Sequence, residues 1–259
     1  MNDCLEHAPV AVVCGGTAGI GLAAATALLQ ASHQRVMIVG RNRDRAHSAA
    51  ANLRARFPQA CVEAMSSDVS QAQGAEAVMR RCVDLFGRID TLVSCAGGDP
   101  MPRLVHETSL DEIPEIIRSI TSGVLLPLRA ALPHMVASGG GAMISIASDA
   151  GKIATPGEAA IGAAMAAIAM FSRTLALEAK RHQIRVNCLT PSIVQGTPLY
   201  NKLMADPFAG RLFAKAHDRA QLGVVQAEDL ADLIVFLASP AAARVTGQTI
   251  SVTGGISAA

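Results

Sequence analysis

Short apolar runs alternate with longer stretches of helical spacing along the whole chain. The short runs are rich in valine and isoleucine and are typical of buried strands, whereas the longer stretches repeat apolar residues every three to four positions. We predict strands at residues 10–13, 35–39, 60–65, 89–94, 142–147, 184–189 and 249–252. We predict helices at residues 19–31, 44–57, 71–86, 110–135, 158–180 and 228–238.

This alternation predicts an α/β fold. We expect one Rossmann-like, doubly wound domain over residues 1–259, with a seven-stranded, mostly parallel sheet and helices on both faces. Residues 197–222 interrupt the rhythm and predict a mobile lid of short helices over a substrate site. The helical region 110–135 contains three prolines, which predict breaks or kinks. They are Pro114, Pro127 and Pro133. The segment 159–170 is apolar all round, so we expect this helix to lie between the sheet and another subunit.

A glycine-rich turn follows the first predicted strand. Val10 to Val13 are apolar, glycines stand at positions 15, 16, 19 and 21, and a helical pattern begins at once. A bare glycine backbone lets a phosphate approach, and the helix N-terminus offers unpaired N–H groups with a partial positive charge. The sequence therefore predicts an anion site here. The alternative is a tight strand-to-helix turn that binds nothing.

Arginines occupy the tip of the second predicted strand. In a doubly wound sheet this tip lies beside the adenosine ribose, where a carboxylate would bind a 2′-hydroxyl. Arg41 and Arg43 stand there, and no carboxylate precedes Asp44. A guanidinium suits a 2′-phosphate by its charge and its fork of donors, which favours NADP(H) over NAD(H). The alternative is that these arginines only solvate a helix start. Asp68, after the third strand, is predicted either to meet an adenine amino group or to cap the next helix.

Composition excludes several classes of protein. The 22 Lys and Arg residues nearly balance the 21 Asp and Glu residues, so no basic surface indicates nucleic acid. The polar residues 1–8 are not a signal peptide, and the longest uncharged apolar run, residues 159–171, is short for a membrane span. The cysteines form no C-x-x-C pair and predict reduced thiols in a cytoplasmic protein without a metal site. They are Cys4, Cys14, Cys61, Cys82, Cys95 and Cys188.

Five motifs together resemble those of the short-chain dehydrogenase/reductase family. They are C-G-G-T-A-G-I-G at residues 14–21, where the family has T-G-x-x-x-G-x-G, Asp68-Val69, Ala96-Gly97, I-R-V-N at 184–187, and T-G-Q with a later G-G between 246 and 255. The resemblance covers essentially the whole chain. It implies an extended Rossmann domain, a nicotinamide dinucleotide, hydride transfer between an alcohol and a carbonyl, and dimers or tetramers formed through the helices 110–135 and 158–180.

The resemblance and the glycine turn together indicate which residues bind the dinucleotide. They are Gly15, Thr17, Gly19, Ile20, Gly21, Arg41, Asp68, Val69, Ala96, Gly97, Pro191 and Thr197.

The catalytic positions implied by the resemblance are largely replaced. The family uses a Tyr-x-x-x-Lys pair, a serine 13 residues before the tyrosine and an asparagine on the preceding long helix. Ser148 occupies the serine position, but the tyrosine, lysine and asparagine positions hold Ile161, Met165 and Ile120. These side chains exchange no protons, and losing a positioned acid or base costs on the order of a hundredfold to ten-thousandfold in rate.

Three hypotheses follow. The first is a catalytically inert, dinucleotide-binding subunit that supports an active dehydrogenase partner in a hetero-oligomer or forms a homo-oligomer. The second is an oxidoreductase, or a cofactor-bound lyase or isomerase, that acts on a small molecule through Ser148 and a non-standard group. The third is a binding module without a dinucleotide. The candidates for the non-standard group, each of which also has a purely structural interpretation, are Lys152, Glu158, Cys95, His106 and Tyr200.

Overall fold

Seven parallel strands form one central sheet in the computed structural model, which describes residues 8–31 and 33–258. The strands are β1 (Val10–Cys14), β2 (Arg35–Gly40), β3 (Cys61–Ser66), β4 (Thr91–Ser94), β5 (Gly141–Ile146), β6 (Ile184–Pro191) and β7 (Thr249–Val252). Their order in the sheet is β3-β2-β1-β4-β5-β6-β7, and every neighbouring pair is parallel. The predicted doubly wound α/β fold is confirmed. Cys4 and most of the polar N-terminal segment lie outside the described residues.

Eight α-helices cover the sheet in the part of the chain that the structure describes. They are α1 (Gly19–Ala31), α2 (Arg43–Arg56), α3 (Ala72–Phe86), α4 (Glu112–Ala137), α5 (Ala159–Ala179), α6 (Pro198–Ala205), α7 (Pro207–Arg219) and α8 (Ala227–Ala238). One buried cluster joins α3, α4 and α5 to one face of the sheet, and a second joins α1, α2 and α8 to the other. Successive residues of β1, such as Val12 and Val13, enter opposite clusters, because side chains along a strand point to alternate faces of the sheet.

The strand order places a crevice at the carboxyl ends of β1 and β4. Chain connections leave these two neighbouring strands in opposite directions, because β2 and β3 lie beyond β1 whereas β5 to β7 lie beyond β4. Ligands of doubly wound sheets bind at such a switch point. The turn after β1 is tied to the sheet there, since Gly15 N–H donates to the Val39 carbonyl at 2.9 Å and Cys95 N–H to the Cys14 carbonyl at 3.0 Å.

The prolines of α4 do not break the helix, so the predicted breaks are wrong, whereas the alternative of kinks stays a prediction. α4 runs without interruption from Glu112 to Ala137, through Pro127 and Pro133. Pro114 lies in the first helical turn, where a missing N–H removes no intrahelical bond. Pro127 is buried, so packing against the sheet offsets the hydrogen bond that this residue cannot donate.

The helix α5 is buried on one side only within this chain. Ile161, Ala164 and Ile168 enter the core, whereas Met170 is 58% exposed and Leu177 is 66% exposed. α4 and the segment Ala159–His182 are both long and apolar enough to cross a membrane by length and composition. Both contribute buried residues to the cluster beneath the sheet, as core helices of globular domains do.

The segment 197–222 folds into α6 and α7, the short helices that the sequence predicts. A small apolar cluster fixes them beside the carboxyl ends of the strands, with Ile193, Leu203, Ala209 and Phe213 buried. Thr197 caps α6 by accepting from Tyr200 N–H at 3.1 Å, and Asp206 caps α7 by accepting from Ala209 N–H at 2.8 Å. The predicted mobility of this lid stays a prediction.

Candidate functional site

In the glycine turn after β1, backbone atoms approach one another more closely than a residue with a Cβ atom would allow. Gly15 has φ +86°, and a Cβ on it would lie 3.0 Å from Ala96 N. A Cβ on Gly21 would lie 2.3 Å from the Gly15 carbonyl oxygen. α1 begins at Gly19 and carries no acidic residue in its first turn, so its free N–H groups keep their partial positive charge. This cradle fits the phosphates of a dinucleotide.

A cleft of about 400 Å³ opens from this cradle along the carboxyl ends of the strands. It brings together predicted residues that lie far apart in the sequence. Those from the dinucleotide prediction are Gly15, Thr17, Gly19, Ile20, Gly21, Arg41, Gly97, Pro191 and Thr197. Those from the catalytic positions are Ser148, Ile120, Ile161 and Met165. One continuous cavity therefore joins the glycine cradle to the positions that the resemblance implies for catalysis.

Three predicted residues do not line this cleft. Asp68 accepts from the Ser70 hydroxyl at 2.7 Å and from Ser70 N–H at 3.1 Å, so it closes a turn and does not cap α3. The Ser70 hydroxyl, and to a smaller extent Arg41, hold the pKa of this carboxyl below its usual range. Val69 is buried in the core. Ala96 contributes backbone that packs closely against Gly15 and Gly123. A nucleotide contact for these three stays a prediction.

An apolar wall stands at the positions where the resemblance implies proton-transferring side chains. Ile161 and Met165 stand four residues apart on the face of α5 that lines the cleft, and Ile120 on α4 adjoins them. Ile161 is 8% exposed and Ile120 is 2% exposed. α4 approaches closely because Gly123 lacks a side chain: a Cβ there would lie 2.2 Å from the Ala96 carbonyl oxygen. No proton can pass to or from this wall.

Two polar groups lie at the end of the same cleft. Ser148 follows β5 in an extended conformation, and its hydroxyl oxygen accepts from Ala150 N–H at 3.3 Å. Glu158 is the residue immediately before α5 and is half-buried. Burial raises the pKa of the Glu158 carboxyl to about 7, and the nearby charge of Asp149 acts in the same direction. The cleft therefore holds one group that titrates near neutral pH.

The other candidates for the non-standard catalytic group are less suited to proton transfer in the cleft. Tyr200 lines the cleft from α6, and Cys95 lines it from the end of β4. Burial raises the pKa of Cys95 to about 12, and its sulfur lies 3.0 Å from the Cys14 carbonyl oxygen, so this thiol stays protonated. Lys152 donates to the Ser251 hydroxyl. His106 is exposed on a short 3-10 helix outside the cleft.

Some lining residues were missed by sequence reasoning. Arg45 lines the cleft with Arg41, although Arg43 between them does not. Arg41 and Arg45 stand four residues apart on either side of the start of α2, and this spacing could have indicated the pair. Ile168, Leu203 and Phe213 also line the cleft. Their periodicity indicates only a core helix or a lid helix, so no local signal distinguishes them.

The fold and the cleft define a class of protein: a doubly wound α/β domain with a glycine cradle for a dinucleotide at its switch point. Residues 15–257 match the family model described as enoyl-(acyl carrier protein) reductase. The chain belongs to the short-chain dehydrogenase/reductase family, as its motifs predict.

Similar proteins are dehydrogenases and reductases. The chain is 33% identical over 250 residues to cis-4-hydroxycyclohexanecarboxylate dehydrogenase of Sinomonas cyclohexanicum, with 96% of each chain covered. It is 32% identical over 250 residues to the 3-oxoacyl-[acyl-carrier-protein] reductase of Synechocystis, with 96% of this chain and 97% of the relative covered. It superposes with TM-score 0.83 and 30% identity on L-sorbose reductase from Gluconobacter frateurii complexed with NADPH and L-sorbose, with 96% of each chain covered.

Proposed function

We propose that this chain binds a nicotinamide dinucleotide, is catalytically inert alone and supports an active dehydrogenase subunit in the cytoplasm. The observation that carries the proposal is the apolar wall of Ile120, Ile161 and Met165 within the cleft. A bound dinucleotide would supply hydride transfer to or from a carbon atom beside this wall. The wall offers neither a proton for the resulting alkoxide nor a positive charge to stabilise it, so ordinary carbonyl reduction lacks two of its requirements.

The proposed partner surface is the outer side of α5. This side carries small side chains that permit close helix packing, together with the exposed Met170 and Leu177. The small exposed residues are Ala159, Ala163, Ala166 and Ala167. Exposed apolar surface of this kind is typical of subunit contacts. Native mass measurement of the chain alone, and after coexpression with an active subunit, distinguishes a homo-oligomer from a hetero-oligomer.

We expect the purified chain to bind NADPH and to leave a broad panel of aldehydes, ketones and alcohols unchanged. Fluorescence titration measures the binding, and a steady-state assay with both cofactors measures the turnover. Turnover in the ordinary enzyme range, roughly 1–1,000 s⁻¹, would contradict the inert assignment. Absence of binding at millimolar cofactor would instead favour a module that binds no dinucleotide.

The preference for NADP(H) depends on Arg41. It lines the cleft at the carboxyl end of β2 together with Arg45, and the relative complexed with NADPH supports this choice of cofactor. We expect Arg41→Ala to weaken NADPH binding by about tenfold and to change NADH binding little, because only NADPH carries the 2′-phosphate. Arg43→Ala is the matched control, since Arg43 is exposed and does not line the cleft. Equal losses for both cofactors in Arg41→Ala would contradict a role in phosphate recognition.

A second candidate function is favoured by Glu158. A carboxyl that titrates near neutral pH within the cleft is suited to general acid–base catalysis. Reduction would then combine hydride transfer to a carbonyl carbon with transfer of the Glu158 proton to the oxygen, directly or through the Ser148 hydroxyl. This candidate is an oxidoreductase, lyase or isomerase of altered mechanism. In such an active protein, an unchanged rate for Ser148→Ala would remove Ser148 from the mechanism.

A further inference from the structure

The cleft has two chemically different parts beyond the phosphate cradle. One part is an extended apolar wall, and the other is a polar end formed by Ser148 and Glu158. The wall consists of Ile120, Val124, Ile161, Met165 and Ile168. A ligand in this space contacts hydrocarbon over most of its surface and meets polar atoms at one end.

Glu158 lines the cleft, hydrogen-bonds with the Thr155 side chain and does not cap the helix that it precedes. It occupies the N-cap position of α5, but its side chain makes no capping hydrogen bond. Its side chain lines the cleft, and it also lines a neighbouring cavity of about 310 Å³ that contains Asp149. Glu158 precedes Ile161 by three residues and Met165 by seven, so the carboxyl extends the face of α5 that forms the wall.

Near neutral pH the polar end presents hydrogen-bond donors. Burial raises the pKa of Glu158 to about 7, the charge of Asp149 adds to this rise, and the Thr155 hydroxyl opposes it. Below this pH the carboxylic acid donates one hydrogen bond, and the Ser148 hydroxyl can donate another. Above it, Glu158 becomes an acceptor that carries a negative charge.

The remaining charged and titratable groups around Glu158 differ from it in kind. Asp149 is buried, with one oxygen accepting from the Ser257 hydroxyl and the other without a partner among the described residues. No histidine is among the described residues that line either cavity. The other groups in the two linings are Lys215 and Arg219 on α7, Tyr200 on α6, Asp99 and Cys95 after β4, and Arg41 and Arg45 at the cofactor end.

We propose that Glu158 selects the ligand of this cleft: as a carboxylic acid it donates a hydrogen bond to the neutral polar atom of a mainly apolar ligand, and as a carboxylate it no longer binds that atom. The inference rests on the proposed dinucleotide cleft, and it holds whether or not the chain catalyses a reaction. Burial against the apolar wall stabilises the body of the ligand. The ionised form of Glu158 disfavours an anionic head group beside it, because like charges repel strongly where solvent is sparse.

Cyclohexanone is the probe, because it joins an apolar ring to a single oxygen. We expect the chain saturated with NADPH to bind it on the order of tenfold more weakly at pH 8.5 than at pH 6, since apparent affinity follows the fraction of binding-competent molecules. Calorimetry or ligand-observed NMR measures the affinity. Glu158→Gln keeps a neutral donor at every pH, so its affinity should be similar at both values. Glu158→Ala should bind weakly at both.

The outcomes separate this inference from the proposed function. Failure of NADPH to bind at either pH refutes the dinucleotide cleft. When NADPH binds, equal cyclohexanone affinity at the two pH values, or no binding at either, overturns the ligand assignment. The ligand assignment is also overturned if cyclohexanecarboxylate at pH 8.5 binds as tightly as cyclohexanone does at pH 6, because the anion should be excluded. The comparison of the natural chain at two pH values stands even if a Glu158 variant fails to fold, and thermal unfolding identifies such a variant.

Discussion

Replacing Ile161 with tyrosine and Met165 with lysine in one chain is expected to create NADPH-dependent reduction of small ketones. Both positions line the cleft on the same face of α5, and Ser148 lies in the same cavity. A tyrosine has a reference pKa of about 10, so its phenol can give a proton to the reduced oxygen, and a lysine one turn away stabilises the phenolate that remains. A positioned acid or base accelerates such reactions by about a hundredfold to ten-thousandfold, so we expect a gain within that range.

The control for this experiment is Ile161→Phe combined with Met165→Lys. Phenylalanine has the size of tyrosine but lacks the hydroxyl, so the steric change is matched and the proton donor is absent. Steady-state rates for both double variants and for the natural chain decide the matter. Equal rates in the two double variants would show that the phenol plays no part. No gain in a folded, NADPH-binding Tyr/Lys chain would contradict the proposal that the apolar wall prevents carbonyl reduction.

Gly21→Ala is expected to abolish dinucleotide binding and to destabilise the fold. Its new Cβ would lie 2.3 Å from the Gly15 carbonyl oxygen and 2.9 Å from the Cys95 sulfur, so backbone must move. Overpacking of this kind costs about 1–3 kcal/mol, and the displaced turn no longer presents its N–H groups to a phosphate. Thermal unfolding measures the stability loss, and NADPH titration should show at least a tenfold loss of affinity at a temperature where the variant is folded.

Gly97→Ala provides the matched comparison for the glycine turn. Gly97 also lines the cleft, but a Cβ on it would lie 3.4 Å from the Ile120 carbonyl oxygen, which is ordinary contact. We therefore expect near-natural stability. If Gly21→Ala were as stable as Gly97→Ala and bound NADPH as well as the natural chain does, close backbone packing would not be what forms the cradle.

Most of the fold could be predicted because it follows from local periodicity. β1 and residues 36–39 of β2 are fully apolar and predict buried strands, and the capping glycine of α3, Gly87, ends its helix with φ +79° as its position suggests. At α4 the three prolines indicated breaks or kinks, and the breaks did not occur. Pattern analysis evaluates a proline by its lost hydrogen bond, whereas the burial of Pro127 depends on contacts with distant parts of the chain.

Part of the candidate site could likewise be predicted from the sequence, and part could not. The glycine cradle and the substitutions at Ile161 and Met165 could be read from motif spacing. The importance of Glu158 could not, because the charge state of a carboxyl depends on burial and on Asp149, nine residues away along the chain. From the sequence alone, Glu158 and the exposed His106 were equally good candidates for the non-standard catalytic group. Only the three-dimensional arrangement separates them.

The close approach of Gly123 to Ala96 has a consequence for how such a protein can change over time. At Gly123, as at Gly21, any added side chain collides with backbone, so mutation there is opposed by the fold itself. Position 161 is different, since isoleucine packs in the core beneath the sheet. The fold therefore constrains these glycines far more tightly than it constrains the identity of the side chain at position 161.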